Sequence, residues 1–164
     1  MGINYFHWCK VITLVENYIL KLKPFLNKSN YLSISFQRLR TNHIQVKAEI
    51  NDEKGVFIID TGASNSCIDL KVCDIFKIKY ELSEEKASSA TDQISKTMIS
   101  KKNKFKIGKW TKKNVPIVLF DMSFINKTLN ENGIESVSGI IGSDLLKKGK
   151  AIIDYSNNKL FLKS

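Results

Sequence analysis

The chain has 164 residues, of which 43% are hydrophobic and 26% charged, and its formal net charge is +10 at pH 7. This size and balance predict one globular domain and argue against a disordered chain or a second full domain. Three cysteines without a Cys-x-x-Cys pair form neither a disulfide framework nor a zinc motif. We therefore expect no metal and no cofactor, and reduced thiols in a cytoplasmic protein.

Residues 1–30 differ in pattern from the rest. Apolar residues recur at three- and four-residue spacing from Val11 to Leu22, which predicts an amphipathic helix that Pro24 should end. The polar residues 27–30 are typical of a linker. We therefore predict an N-terminal helical extension over 1–30 and a separate domain over 31–164. We expect the helix to pack on the domain, and contact with a membrane through it is the less favoured alternative.

From residue 31 onward the apolar residues alternate with polar ones, which indicates half-buried strands at 31–36 and 44–50. A hairpin turn is expected at 51–55. The following run, 56–59, is wholly apolar and predicts a short strand buried on both faces. The later predicted elements are strands at 104–107, 115–120, 151–155 and 159–162, and short helices at 69–76, 123–130 and 143–148. The fold class is therefore mostly β with short helices.

The clearest chemical motif follows the buried strand directly. It consists of a carboxylate, a hydroxyl and a glycine, Asp60-Thr61-Gly62, followed by two small residues. Gly62 allows a tight turn, and the Thr61 hydroxyl can fix the loop by hydrogen bonding. An acid held at the mouth of a core strand is costly unless it is paired, which indicates a functional carboxylate. The structural alternative is a β-turn in which Asp60 caps its own loop.

A second motif, Gly139-Ile140-Ile141-Gly142, lies further along the chain. Two β-branched residues before a glycine suit a strand that passes close to another loop. With both motifs present in this order, the chain resembles the retropepsin-like aspartic proteases, which include the retroviral proteases. The resemblance covers residues 31–164, including the helix and the final strand that follow the second motif.

The resemblance implies a closed β-barrel of the acid-protease type, a homodimer and a polypeptide substrate. It assigns catalysis to Asp60, Thr61 and Gly62. The substrate contacts that it implies are Ala63, Ser64, Ile140 and Ile141, together with Ser88, Ser89 and Ala90 in a flap hairpin. The chain departs from the family in one respect, since residues 86–93, where the flap should lie, contain no glycine.

The chemistry of such a protease also requires two copies of the chain. Peptide hydrolysis by this mechanism needs two carboxylates that share one proton, because like charges so close cannot both ionise easily. The sequence has one Asp-Thr-Gly and no Asp-Ser-Gly. A two-fold axis through the site would supply the second Asp60.

Two other aspartates could be mistaken for the missing acid. Asp154 also follows an apolar strand, but a tyrosine and a serine replace the hydroxyl-glycine pair, so we expect it to satisfy local backbone donors. Asp144, just after the second motif, is expected to cap a helix or lie in its first turn.

A lysine-rich stretch, residues 101–113, leaves a second function open. Its lysines alternate with Phe105, Ile107 and Trp110, which favours a solvated hairpin over an anion-binding patch. The alternative to an aspartic endopeptidase is an inactive module that holds nucleic acid or an acidic partner on a basic surface. Nucleic acid is not the expected partner, because the sequence has no recognisable nucleic-acid motif.

Overall fold

The computed structural model describes residues 22–82 and 98–164. In this part of the chain the helices are α1 (Leu22–Lys28), α2 (Ser123–Glu131) and α3 (Ser143–Lys148), with a 3-10 helix at Leu70–Val72. The strands are β1 (Tyr31–Ser35), β2 (Gln37–Arg38), β3 (Ile44–Ile50), β4 (Glu53–Ile59), β5 (Cys67–Asp69), β6 (Glu81–Leu82), β7 (Met98–Ile107), β8 (Trp110–Phe120), β9 (Gly139–Ile141), β10 (Ile152–Asp154) and β11 (Lys159–Lys163). No helix among these residues has the length and apolarity needed to cross a membrane.

Six strands close into a barrel in the order β3-β4-β9-β5-β8-β7. The circle is completed because β7 pairs back onto β3, with Glu49 opposite Lys106 and Ile50 opposite Phe105. A second sheet of three strands has the order β1-β11-β10. The prediction of a mostly β, closed barrel with short helices is therefore confirmed.

The two faces of strand β4 bury different sets of apolar residues. Phe57 and Ile59 belong to the large core inside the barrel, which also contains Trp110 and Ile141. Ile58 belongs to a smaller outer cluster, which α2 covers. The outer cluster has a buried and a half-buried part; the buried members are Ile58, Cys67, Met122, Leu129, Ile134 and Val137, and the half-buried ones are Leu39, Val56, Val118, Phe120, Ile125 and Ile140. Strand β4 is thus covered on both faces, as the wholly apolar run predicted.

The hairpin between β3 and β4 is tighter than expected. Its turn consists of Asn51 and Asp52, both with positive φ (50° and 71°), rather than of residues 51–55. Asparagine and aspartate tolerate this conformation, which matches the twist of a two-residue hairpin. Strand β4 therefore begins already at Glu53.

The helix predicted at 69–76 was only partly correct. Residues 67–69 form strand β5, followed by one 3-10 turn at Leu70–Val72. Asp69 ends the strand, and its Oδ1 accepts a hydrogen bond from the backbone N–H of Lys71, 3.2 Å away. A strand this short that ends in a polar residue has too few positions to show an alternating apolar pattern.

The N-terminal prediction also needs a correction. Pro24 lies within helix α1 rather than ending it, and residues 27 and 28, predicted as linker, complete the helix. Proline is tolerated in a first turn because the backbone N–H that it lacks would have no partner within the helix there. The predicted helix from Val11 falls almost entirely outside the described residues. Leu26 is buried, so α1 packs on the domain.

The lysine-rich stretch forms the hairpin of β7 and β8, as the alternation predicted. Phe105, Ile107 and Trp110 are each about 1% exposed. Lys104 and Lys106 pair with Asp52 and Glu49 at 2.6 and 3.0 Å. Both predicted strands, 104–107 and 115–120, are parts of longer strands, since the outward-facing lysines hide their first halves from an apolar pattern.

Candidate active site

Strand β4 delivers Asp60 to the surface at the end of a buried run. Phe57, Ile58 and Ile59 are at most 6% exposed, whereas Asp60 is exposed. Strand β9 runs parallel beside β4, with Ile59 opposite Ile141. The backbone N–H of Asp60 donates to the carbonyl of Ile141, 3.0 Å away. The two sequence motifs are therefore in direct contact.

The loop after Asp60 folds back on the carboxylate. Oδ1 of Asp60 accepts a hydrogen bond from the N–H of Gly62 at 2.8 Å, and the Asp60 carbonyl accepts one from Ala63 at 3.3 Å. A Cβ at Gly62 would lie only 3.2 Å from that same carboxylate oxygen. Glycine at this position lets the chain turn without displacing the acid.

The second motif passes under this loop at backbone contact distance. A Cβ on Gly142 would lie 2.7 Å from the carbonyl of Asn65 and 2.9 Å from that of Ala63. Just beyond, the N–H of Ser143 donates to the Ala63 carbonyl at 2.8 Å. The expectation that a glycine here permits a close pass is met in the geometry.

A buried polar pair, missed in the sequence, joins the two motifs. Oδ1 of Asp144 accepts hydrogen bonds from the N–H and the hydroxyl of Ser66, at 2.8 and 2.7 Å. Oγ of Ser66 in turn accepts from the N–H of Gly142 at 2.9 Å, and Ser66 is 2% exposed. Asp144 lies in the first turn of α3, as predicted. Its partner Ser66 could not be found from sequence, because only the threading of the loop brings them together.

The other predicted site residues differ in their exposure and in their hydrogen bonds. Thr61 and Ser64 are exposed, and Ser64 accepts a hydrogen bond at its carbonyl from the Ser143 hydroxyl, 3.3 Å away. Among residues 22–82 and 98–164, the Thr61 hydroxyl forms no hydrogen bond, and the Asp60 loop is held there by the N–H groups of Gly62 and Ala63. Ile140 is half-buried.

The position of Ile141 differs from the sequence prediction that this side chain contacts the substrate. Its side chain is 0% exposed and lies in the barrel core, so it is not available for direct contact with a substrate. Neighbouring side chains on a strand point to opposite faces, and Ile140 takes the outward position. Ser88, Ser89 and Ala90 fall outside the described residues; β6 and β7, which flank that segment in sequence, pair as antiparallel strands.

Asp154 behaves as the sequence predicted. Its two carboxylate oxygens accept from the N–H and the side-chain amide of Asn157, at 3.0 and 2.7 Å. The hydrogen bond from the Asn157 side chain lowers the pKa of Asp154. This carboxylate closes a turn of its own.

Cys67, next to Ser66, is excluded as a nucleophile. Burial raises the pKa of its thiol to about 12, and the carboxylates of Asp144, Asp60 and Asp69 act in the same direction. The thiol is therefore protonated near neutral pH and unreactive.

A cleft among the described residues lies away from Asp60. It has a volume of about 650 Å³ and is lined by residues of β5, α2 and the segment before β9, including Asp69, Lys71 and Ser136.

Comparisons with known proteins agree with this geometry. Residues 46–145 match a family model described as aspartyl protease. A retropepsin-like aspartic protease from Rickettsia conorii has a similar fold (TM-score 0.51, 21% identity, covering 80% of this chain and 90% of that one). EIAV protease in complex with the inhibitor HBY-793 gives a TM-score of 0.53 at 15% identity, covering 72% of this chain and 98% of that one.

The retroviral protease-like domain of Ddi1 from Leishmania major gives a TM-score of 0.50 at 15% identity, covering 73% of this chain and 87% of that one. No curated protein sequence matches the chain. Identities this low speak for the fold alone, whereas the family model spans both motifs and the strands between them. The chain therefore belongs to the aspartyl protease family, with a retropepsin-like fold.

Proposed function

We propose that this protein is an aspartic endopeptidase that hydrolyses peptide bonds between the Asp60 carboxylates of two paired chains. The observation that carries the proposal is the exposed Asp60 carboxylate, held at its root by the second motif. An acid fixed in this way keeps its position while its outer oxygen remains free for chemistry.

The reaction follows from a pair of carboxylates that share one proton. The ionised Asp60 accepts a proton from a water molecule, whose oxygen attacks the scissile carbonyl carbon. The protonated Asp60 of the other chain donates to the carbonyl oxygen. The tetrahedral intermediate then collapses as a proton passes to the leaving amine.

The face of β4 that carries Asp60 also supports a site for an apolar substrate side chain. Side chains two apart on a strand share a face, so Ile58 lies on the same side as Asp60. Ile140 lies opposite Ile58 in the register, and Val118 and Ile125 are half-buried beside them in the outer cluster. We propose that Ile140, with Ala63 and Ser64, contacts the substrate, and that Ser88, Ser89 and Ala90 close over it.

The test is cleavage of a diverse peptide mixture from mildly acidic to neutral pH. Asp60→Asn should abolish cleavage while leaving the fold intact. Asp154→Asn is the matched control, since it removes an aspartate that also follows two isoleucines, and it should cleave like the wild type. Cleavage by Asp60→Asn at the wild-type rate would overturn the proposal.

The shared site is tested separately by mixing. Wild-type and Asp60→Asn chains are unfolded together, refolded at constant total concentration and assayed. If each site needs two intact Asp60 side chains, activity falls with the square of the wild-type fraction. A linear fall would mean that one chain suffices, which would contradict the homodimer.

The net charge of +10 favours a second candidate, a binding module that keeps the fold without the activity. It would bind nucleic acid or an acidic partner with steep salt dependence. A folded dimer that cleaves no peptide in the assay above, and that retains an oligonucleotide at low salt, would establish this alternative.

A further inference from the structure

The positive charge of the described residues is concentrated at one end of the molecule. Four segments, 22–31, 108–114, 147–151 and 161–164, contain nine lysines and no aspartate or glutamate. The rest of the described chain carries thirteen basic and twelve acidic side chains, so it is almost neutral. We call these four segments the basic pole.

Direct contacts show that the four segments meet in space. The Lys163 carbonyl accepts a hydrogen bond from the Trp110 indole at 2.9 Å, and the Lys163 N–H donates to Gly149 at 2.7 Å. The N–H of Ser164 donates to Asn30 at 3.1 Å. The pole is therefore one continuous surface built around the end of β11.

Within residues 22–82 and 98–164, no lysine of the pole forms an ion pair with a carboxylate. The ion pairs of the described residues involve Lys77, Lys101, Lys104, Lys106 and Lys127, none of which belongs to the pole. Lys112 lies over the Trp110 ring and Lys163 over the Tyr31 ring, at 5.4 and 5.9 Å. Like charges gathered in this way repel one another unless an anionic partner is present.

Exposed apolar side chains accompany the lysines. Phe25 is 54% exposed and Leu22 is 37% exposed, both on α1. In the sequence before α1, residues 11–20 are mostly apolar, with Lys10 and Lys21 at either end. Aromatic and aliphatic residues among lysines suit the headgroup region of an anionic bilayer.

We infer that the basic pole docks this protein on a membrane surface rich in anionic lipids. The lysines of the pole face the headgroups, and Phe25 and Leu22 enter the interface. This role goes beyond the proposed peptidase and does not depend on it. Helix α3 begins at Ser143, directly after Gly142 beside the Asp60 loop, and ends at the pole, so the two functions would occupy separate surfaces.

The experiment is co-sedimentation of the full chain with phosphatidylcholine vesicles that contain or lack phosphatidylserine. We expect binding only with phosphatidylserine, and a steep loss of binding as salt is added. The triple variant Lys109→Gln, Lys113→Gln and Lys148→Gln should bind on the order of a hundredfold more weakly, since each lysine near such a surface contributes about fivefold. All three side chains are exposed, so the fold should be retained.

A matched triple variant removes the same charge elsewhere. Lys54→Gln, Lys79→Gln and Lys102→Gln lie outside the pole and are also exposed, and they should leave binding nearly unchanged. Phe25→Ser should weaken binding by about tenfold, whereas Phe124→Ser, 81% exposed on α2, should not. Asp60→Asn should bind like the wild type, which separates this result from the peptidase assay.

Three results would overturn the inference. The first is no sedimentation with phosphatidylserine vesicles. The second is an equal loss from the two triple variants, because net charge alone would then account for binding. The third is retention of a single-stranded oligonucleotide that the pole variant loses, in the absence of vesicle binding, which would identify a nucleic-acid surface.

Discussion

Two aspartates of this chain follow the same pair of residues, yet they end in different environments. Ile58-Ile59 leads to Asp60, and Ile152-Ile153 leads to Asp154. At the first, a neighbouring strand supports the loop through the Ile141 carbonyl, and within residues 22–82 and 98–164 only one of the two carboxylate oxygens accepts a hydrogen bond. At the second, both oxygens are occupied by Asn157.

The strands that carry them differ as well. Ile58 and Ile59 lie in a barrel strand with buried residues on both faces, whereas Ile152 and Ile153 are half-buried in the edge strand of the three-stranded sheet. The comparison teaches that an apolar strand ending in aspartate does not define a catalytic acid. On the proposed mechanism, a catalytic acid also needs a backbone support that leaves its outer oxygen available to water.

Lengthening each acid by one methylene would sharpen this comparison most. Asp60→Glu moves the carboxylate by more than 1 Å, and cleavage should fall by about a hundredfold or more. Asp154→Glu should cleave at the wild-type rate. Peptidase assays at matched dimer concentration measure both. Equal effects at the two positions would show that the support described for Asp60 has no role.

The next largest effect should come from adding a methyl group at Gly142, where the second motif passes under the Asp60 loop. Gly142→Ala places a methyl group 2.7 Å from the Asn65 backbone, which cannot rotate away, and we expect a loss of about 3 kcal/mol in the free energy of unfolding. Asn158→Gly in the Asp154 turn, where φ is 52°, should change stability by less than about 0.5 kcal/mol. Urea denaturation compares them, and a loss under about 1 kcal/mol for Gly142→Ala would contradict the tight crossing.

A finer test removes the side chain that forms hydrogen bonds at the loop of each aspartate, Ser66 for the Asp60 loop and Asn157 for the Asp154 turn. Ser66→Ala leaves the Gly142 N–H without its acceptor in a buried site and should cost about 2 kcal/mol. Asn157→Ala, at an exposed turn, should cost about 1 kcal/mol or less.

Asp144→Asn controls the chemistry of the Ser66 contact. Its amide oxygen can still accept both hydrogen bonds from Ser66, so stability should stay closer to wild type than in Asp144→Ala. Equal losses in the two Asp144 variants would mean that the charge, rather than the acceptor, holds the motifs together.

The smallest expected effect concerns pH. The pKa of Asp154 is lowered by the Asn157 hydrogen bonds, so its folded value lies below its value in the unfolded chain, 3.8. Its contribution to stability is therefore present above pH 3.8 and is lost as the pH falls through the folded pKa. Asp154→Asn should melt below the wild type at neutral pH, and the gap should narrow below about pH 4. A gap that stays constant with pH would contradict this assignment.

How much of this structure the sequence predicts depends on how far apart in the chain the residues behind each feature lie. Alternation and the apolar run indicated the strands of the barrel, since burial on one or both faces leaves a period in the chain. Strand β5, with three residues, was too short to leave one. The Ser66 and Asp144 pair is separated by 78 residues and depends on threading, which no local pattern records.

The same limit applies to the site and to the charge. Asp60, Gly62 and Gly142 could be picked out from the sequence because aspartate and glycine in a fixed order favour a specific backbone geometry. Ile141 was placed on the wrong face, because two adjacent isoleucines do not say which one points outward. The lysines of the basic pole come from four separate segments, so the sequence showed only the dense group between Lys101 and Lys113, of which Lys101, Lys104 and Lys106 pair with acids in the fold.

The pairing of β1 with β11 has a consequence for how the protein is made. Lys159 on β11 contacts Ser35 on β1, although 124 residues separate them. During synthesis, β1 leaves the ribosome long before β11 has been made. The edge of β1 therefore stays unpaired while the barrel strands pair with partners that are nearer in the sequence. We therefore expect the three-stranded sheet, and with it the surface around Lys163, to form after the barrel strands have paired.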